Sequence, residues 1–135
     1  VQGENNAVEP GKRMLSAMTP SIVLDPDGRL LMVTGTPGGS TIITTVFQTI
    51  SNVVDYGMNV AQAVNAPRVH HQHLPDQIYY EAGGLTAETV AALEALGHTV
   101  VERGGVSGDV QAILLVDGTL TAWSDPRRGG RALGY

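Results

Sequence analysis

The run Thr34-Gly35-Thr36-Pro37-Gly38-Gly39-Ser40 holds the residue types best suited to chemistry in this chain. It joins an apolar segment, Leu30 to Val33, to an amphipathic one, Thr41 to Val54. Pro37 fixes the approach of the backbone, and Gly38 and Gly39 carry no Cβ to block a close visitor. A helix that starts directly after them points its positive end into the same space. Adjacent N–H groups offered in this way make an anion or oxyanion site. An ordinary strand-to-helix turn uses the same residues, so both readings stand at this level. The run lacks the Gly-Lys-Ser/Thr ending of a nucleotide loop and the spacing of a dinucleotide fingerprint, which demotes nucleotide binding.

Other polar groups are weaker signals. In Lys12-Arg13-Met14-Leu15-Ser16-Ala17-Met18-Thr19-Pro20 the hydroxyls of Ser16 and Thr19 suit either donation to a bound carboxylate or a polar strand entry. His70, His71 and His73 are closely spaced, but no Asp, Glu or Cys cluster accompanies them. They read as packed or hydrogen-bonded imidazoles, and no metal site is assigned. Asp125-Pro126-Arg127-Arg128 suits a structural ion pair or turn anchor. No nucleophile-elbow motif is present, and no Ser-His-Asp triad is assembled from sequence.

The elements that must hold these groups follow from apolar periodicity. Residues 1 to 12 read as an irregular lead-in ending at Pro10-Gly11, with structure starting near Met14. Ile22 to Leu24 and Leu30 to Val33 flank Asp25-Pro26-Asp27-Gly28 and predict a β-hairpin. Val110 to Val116 and Thr119 to Trp123 flank Asp117-Gly118 and predict a second, whose turn needs positive φ. Between them, Ile42, Ile43, Val46, Phe47, Ile50, Val53 and Val54 predict a helix with one broad apolar stripe, capped by Ser40 or Thr41. A short helix around Val60 to Val64 should close at Ala66-Pro67. A third runs from a Thr86 cap through Val90, Leu93 and Leu96 to Gly97. Short strands at Ile78 to Glu81 and Thr99 to Glu102 flank it. Apolar residues on consecutive strand positions predict a sheet covered on both faces, hence a layered fold with helices outside.

Composition narrows the function classes. The 135 residues make one domain with a real core. A net charge of -5 with only 8 Lys and Arg makes nucleic acid an unlikely partner. With no cysteine, disulfides, thiolate metal sites and cysteine nucleophiles are excluded. No run approaches the roughly 18 apolar residues of a membrane helix, and Val1-Gln2-Gly3-Glu4-Asn5-Asn6 has no signal pattern. A chain opening on Val in such a segment reads as a piece of something longer.

A series of segments in order resembles one family over essentially the whole chain. These are Asn6 to Ser16, Met18-Thr19-Pro20, Thr34 to Ser40, Asn65-Ala66-Pro67-Arg68, His70-His71-Gln72, Leu74-Pro75-Asp76 and Ser124-Asp125-Pro126-Arg127. Together they are similar to the C-terminal part of the small subunit of γ-glutamyltranspeptidase (glutathione hydrolase). The resemblance implies an α+β fold of the N-terminal-nucleophile hydrolase type, an αββα sandwich of which this chain is a C-terminal portion. It implies autocleavage of a precursor and transfer of γ-glutamyl groups to water or an amino group, with no cofactor or metal in the chemistry.

Carried over residue by residue, the oxyanion donors are the N–H groups of Gly38 and Gly39. The family's Ser-Ser pair for the substrate α-carboxylate falls on Ser16 and Ala17, so one hydroxyl is missing. The nucleophile is a threonine activated by its own α-amino group, and it precedes what this chain contains. The fragment alone is therefore expected to be inactive. Its expected partners are the large subunit, the missing N-terminal part of the small subunit and a small γ-glutamyl substrate such as glutathione. An uncovered sheet is expected to drive the fragment to homo-oligomers. The family implies a periplasmic or extracellular address. Three alternatives remain at this level: a non-catalytic carboxylate-binding domain, a pseudoenzyme, and a glutaryl-cephalosporin acylase-like hydrolase.

Overall fold

The computed structural model describes residues 3–105 and 107–134. Two antiparallel hairpins form one four-stranded sheet. The first comprises β1 (Ser21–Leu24) and β2 (Leu30–Gly35), the second β6 (Gln111–Val116) and β7 (Thr119–Ser124), and β2 pairs with β6 to give the order β1-β2-β6-β7. The second turn is built as its residues require, with φ of 49° at Asp117 and 76° at Gly118. Three further strands, β3 (Val69–His70), β4 (Ile78–Tyr80) and β5 (Val100–Glu102), make a smaller sheet. There β4 and β5 run parallel and are joined by α3 (Ala87–Ala95), because parallel neighbours need a crossover.

Helices α1 (Ile42–Val54) and α2 (Val60–Asn65) lie against one face of the larger sheet. Register places Val23, Met32 and Leu114 side by side, and Met32, Ala112 and Leu114 join Val60, Val64 and Val110 in the core. The opposite face carries Ile22, Val33 and Ile113, which are 71%, 38% and 43% exposed. Consecutive apolar residues on these strands predict burial on both faces, but the described residues cover one side only. This is an α+β arrangement presenting a helix layer and a sheet layer.

Several local expectations change. Residues 1 and 2 of the expected lead-in lie outside the described residues. Glu4–Asn6 form a 3-10 turn within it, and regular structure begins at Ser21, later than Met14. Neither Ser40 nor Thr41 caps α1. A 3-10 turn at Gly39–Thr41 feeds straight into the helix, and the Thr41 hydroxyl reaches back to Gly38 O at 2.9 Å. The stripe on α1 is also narrower than its apolar residues suggest. Ile43, Phe47 and Val54 are exposed, while Thr45 and Thr49 are buried, with the Thr49 hydroxyl donating to Thr45 O at 2.8 Å. A stripe that wide exceeds the one face a helix presents to a sheet, and on the buried flank the Thr49 hydroxyl is satisfied within the helix while the Thr45 methyl packs against Gly108. Thr86 caps α3 as expected, accepting from Thr89 N–H. Asn59 and Gln62 add an unanticipated capping box to α2. Among the described residues, no helix is long and apolar enough to cross a membrane.

A buried cluster of two Arg and two acidic side chains ties the sheets together. Arg68, at the entry to β3, donates through Nη2 to Asp125 Oδ2 at 2.7 Å and to Val64 O at 2.9 Å. Its Nη1 donates to Ser107 O. Asp125, directly after β7, also accepts from Val110 N–H and Arg127 N–H, each at 3.0 Å. Glu81, at the end of β4, takes Arg127 Nη2 at 2.6 Å and the N–H groups of Arg68 and Ser107 at 3.0 Å. The charges balance and the oxygens are satisfied, which is the condition under which buried ions are tolerated. Burial alone would raise the Asp125 carboxyl, but Val110 N–H, the Arg68 guanidinium and Arg127 N–H hold it below the ordinary carboxylate range. Burial draws Arg68 below the ordinary guanidinium value, against the pull of Asp125. Burial acts the same way on Arg127, but hydrogen bonds to Glu81 and Asp125 outweigh it and raise that group.

Because the Asp125 value is depressed in the folded state, its contribution is present above the unfolded value near 3.8 and is lost as pH falls through the folded one. Acid unfolding followed by circular dichroism should therefore show a limb below about pH 4 that Asp125→Asn flattens. At neutral pH the same variant, which leaves Arg68 buried without its counter-ion, should lose about 3 to 5 kcal/mol. A neutral-pH stability equal to wild type would show that the pair does not hold the fold.

Candidate active site

The Gly-rich loop leaves β2 at Gly35 and turns at Pro37 into the start of α1. Gly38 has φ of 152° and Gly39 of 59°, a backbone path that L side chains rarely follow. At Gly38 the tolerance is also steric, since a Cβ would sit 2.8 Å from Thr41 Oγ1 and 3.3 Å from Gly108 Cα. A Cβ at Gly39 would meet nothing within 4 Å, so that residue faces open space. Among the described residues no acceptor takes the N–H of either glycine. Two unspent donors at the start of a helix are the arrangement that binds negative charge.

Both glycines line a cleft of about 540 Å³ whose opposite wall is the segment from Asn5 to Ala17. Ser16 and Ala17 therefore share one cavity with Gly38 and Gly39, although 20 residues lie between Ala17 and Gly38. Lys12, Arg13 and Glu9 also line it, with Lys12 Nζ 3.5 Å from Glu9 Oε1, so among the described residues Arg13 supplies the one cation in excess. The Ser16 hydroxyl donates to Met18 O at 2.8 Å, a local bond in an exposed segment that a better acceptor can displace. Thr19 does not join this wall. Its carbonyl instead packs on Gly35, where a Cβ would come within 3.3 Å of it.

Behind the loop lies the segment from Ser107 to Asp109. A Cβ on Gly108 would sit 2.8 Å from Thr36 Oγ1 and 3.1 Å from Thr45 Cγ2, so the Gly108 backbone packs closely on these two threonine side chains. Asp109 N–H donates to Thr36 Oγ1 at 2.7 Å. Ser107 is bonded through its N–H to Glu81 and through its carbonyl to Arg68. The buried charged cluster thus supports the plate on which the loop rests. Sequence reading expected an Asp–Arg pair at Asp125, which the structure contains at 3.1 Å to Arg127. It missed Arg68 and Glu81, whose separation in the chain carries no signal.

The histidines are placed away from this cleft. His70 is buried, with Nδ1 2.8 Å from Thr44 Oγ1 and Nε2 3.1 Å from Gln72 Oε1. His71 Nε2 lies 3.0 Å from Asp76 Oδ1. Gln48 bonds both Val69 N–H and Val69 O, which fastens β3 to α1 beside His70. A second, more apolar cavity of about 550 Å³ lies on the uncovered sheet face, near Val33, Ile113 and Trp123. Its walls also carry Thr34, Asp109, Gln111 and Arg131 but include neither Gly38 nor Gly39, so the cleft that holds the two unspent N–H groups is the better candidate.

Comparison with known proteins gives this geometry a context. The glutathione hydrolase proenzyme of Escherichia coli is 51% identical over 128 residues, covering 94% of this chain and 22% of its own length. That of Pseudomonas aeruginosa is 49% identical over 136 residues, covering 99% and 24%. This chain thus spans about a quarter of the length of these two curated relatives. A solved acivicin-inhibited gamma-glutamyltranspeptidase superposes with a TM-score of 0.84 at 45% identity, over 96% of this chain and 70% of that one. The family model described as gamma-glutamyltranspeptidase matches residues 1–135, and with this agreement of sequence and fold the chain belongs to that family.

Proposed function

We propose that these residues form the oxyanion-binding part of the active site of an enzyme that transfers γ-glutamyl groups to water or to amino acids. The observation that carries this reading is the pair of unspent N–H groups on Gly38 and Gly39, facing a cleft that Ser16 also lines. A threonine from outside these 135 residues, activated by its own α-amino group, attacks the γ-carbonyl of a donor such as glutathione. As the carbonyl carbon becomes tetrahedral, its oxygen takes up negative charge between the two N–H groups. Donors held in place stabilise this charge more than they stabilise the neutral ground state, which lowers the barrier. Collapse of this tetrahedral species breaks the C–N bond, the departing amine takes the proton that the α-amino group removed from the hydroxyl, and an acyl-threonine ester remains. The same donors serve again when water or an amine attacks that ester. Ser16 binds the donor's α-carboxylate.

The partners on this reading are the large subunit and the rest of the small subunit, and the address is periplasmic or extracellular. A second reading is favoured by one residue. Ala17 offers no hydroxyl where the family's second serine falls, which suits a different acyl group, such as the glutaryl group of a glutaryl amide, which keeps the carboxylate and lacks the glutamyl amine. A stand-alone anion-binding domain or a pseudoenzyme would keep the cleft and turn nothing over.

Three measurements separate these outcomes. The full-length, processed protein should release chromophore from a γ-glutamyl anilide, while Gly38→Ala, whose new Cβ meets Thr41 and Gly108, should lose about 10²- to 10³-fold in kcat. Absence of hydrolysis of both γ-glutamyl and glutaryl anilides by the folded full-length protein would sink the enzyme reading. Ala17→Ser should restore one hydrogen bond to a charged group, worth about 1.5 to 3 kcal/mol, and lower KM for the γ-glutamyl donor by about tenfold or more. An unchanged KM would place position 17 outside the carboxylate site. Finally, the isolated 135 residues expose an apolar sheet face and should sediment as a dimer or larger species. A monodisperse monomer would contradict self-association.

A further inference from the structure

Backbone donors are useful in catalysis only if their peptide planes cannot turn. In a trans peptide the C=O and the N–H point in opposite directions, so holding the oxygen aims the hydrogen. The two donors in question belong to the Pro37–Gly38 and Gly38–Gly39 peptides, and among the described residues the one cis bond is at Leu74-Pro75. Each of these planes has its oxygen taken by a threonine hydroxyl. Thr36 Oγ1 donates to Pro37 O at 2.6 Å. Thr41 Oγ1 donates to Gly38 O at 2.9 Å, and Thr41 N–H reaches the same oxygen at 3.2 Å.

We propose that Thr36 and Thr41 are paired positioning residues that clamp the two peptide planes and so aim the N–H groups of Gly38 and Gly39 into the cleft. Both threonines are almost fully buried, at 2% and 4% exposure, where a bare polar group would be costly. Thr36 has its own direction set in turn. Its oxygen accepts from Asp109 N–H at 2.7 Å, which leaves the hydroxyl proton for Pro37 O. Gly108 closes against the same oxygen and keeps the side chain in this rotamer. Glycines need such a clamp more than other residues do, since they have no Cβ to limit their dihedrals. At Gly38 the clamp is also a wall, because the Thr41 oxygen occupies the place a Cβ would take.

The proposal rests on the oxyanion reading of the loop, and the test keeps the two apart. Thr36→Val and Thr41→Val remove the hydroxyls at nearly constant volume, and Thr36→Ser and Thr41→Ser restore them without the methyl. In the full-length processed protein with γ-glutamyl-p-nitroanilide, Thr36→Val should lower kcat by about 10- to 100-fold, somewhat less than loss of a whole donor. Thr41→Val should fall at the low end, because its N–H still holds Gly38 O. KM should stay within about threefold in all variants, since the clamp acts on charge that develops only in the transition state. The serine variants should recover most of the wild-type kcat. Should Thr36→Val fail to accumulate as folded protein, Thr36→Ala removes the same hydroxyl and makes the same comparison. Wild-type turnover with unchanged kcat in the valine variants overturns the clamp alone, as do serine variants that lose as much as valine. A folded wild type that turns over no γ-glutamyl anilide overturns the oxyanion reading and the clamp with it.

Discussion

The pairing of Arg68 with Asp125 inside the protein is the constraint on which the remaining structure depends. Both side chains are almost wholly out of water, at 3% and 0% exposure, and neither would be stable there alone. Their partners come from the end of α2, the residue after β4 and the segment from Ser107 to Val110, so satisfying the pair draws three distant stretches together. Apolar packing of α1 and α2 on the sheet supplies driving force but little direction. The ionic cluster supplies direction, because each carboxylate oxygen of Asp125 and Glu81 is met by N–H donors from fixed places in the fold.

That cluster reaches the cleft through backbone. Arg68 and Glu81 hold Ser107, Ser107 places Gly108, and Gly108 and Asp109 meet Thr36 and Gly38. No side chain at the end of this path has to do chemistry. On the proposed reading the working groups are two amide N–H bonds, whose direction is inherited from hydroxyls and whose position is inherited from a buried ion pair. This division suits an oxyanion site, where rigidity at the moment of charge development matters more than reactivity.

The other consequence of this architecture is an incomplete surface. Strands whose residues are apolar on both faces are built to lie between layers, yet the described residues provide a layer on one side only. Membership of the gamma-glutamyltranspeptidase family and a span of about a quarter of the two curated relatives above are consistent with this open face. The cleft is open in the same sense. Its walls are the loop and the extended segment before β1, and a nucleophile enters the scheme only from outside.

Much of this protein was legible in its residues. Alternating and periodic apolar positions located both hairpins and all three helices, because burial period follows directly from strand and helix geometry. Asp117-Gly118 announced its turn, and Pro37-Gly38-Gly39 announced a loop of positive φ, because that region is nearly a glycine monopoly. What sequence left open was which side of each element would be wet and which polar groups would meet. The apolar stripe of α1 did not reveal that Thr45 and Thr49 would be buried and Phe47 exposed, since a stripe records hydrophobicity and not the shape of what lies opposite. Thr41 read as a forward cap and turned back to Gly38 O, because a 3-10 turn removed the need for a cap. Arg68 and Asp125 lie 57 residues apart and carry no local mark of one another. Sequence by itself determined the local conformations and the chemical types available. Only the tertiary structure decided which donors were left unspent and where they aimed, because hydrogen-bond partners are chosen by folding in space and not by order along the chain.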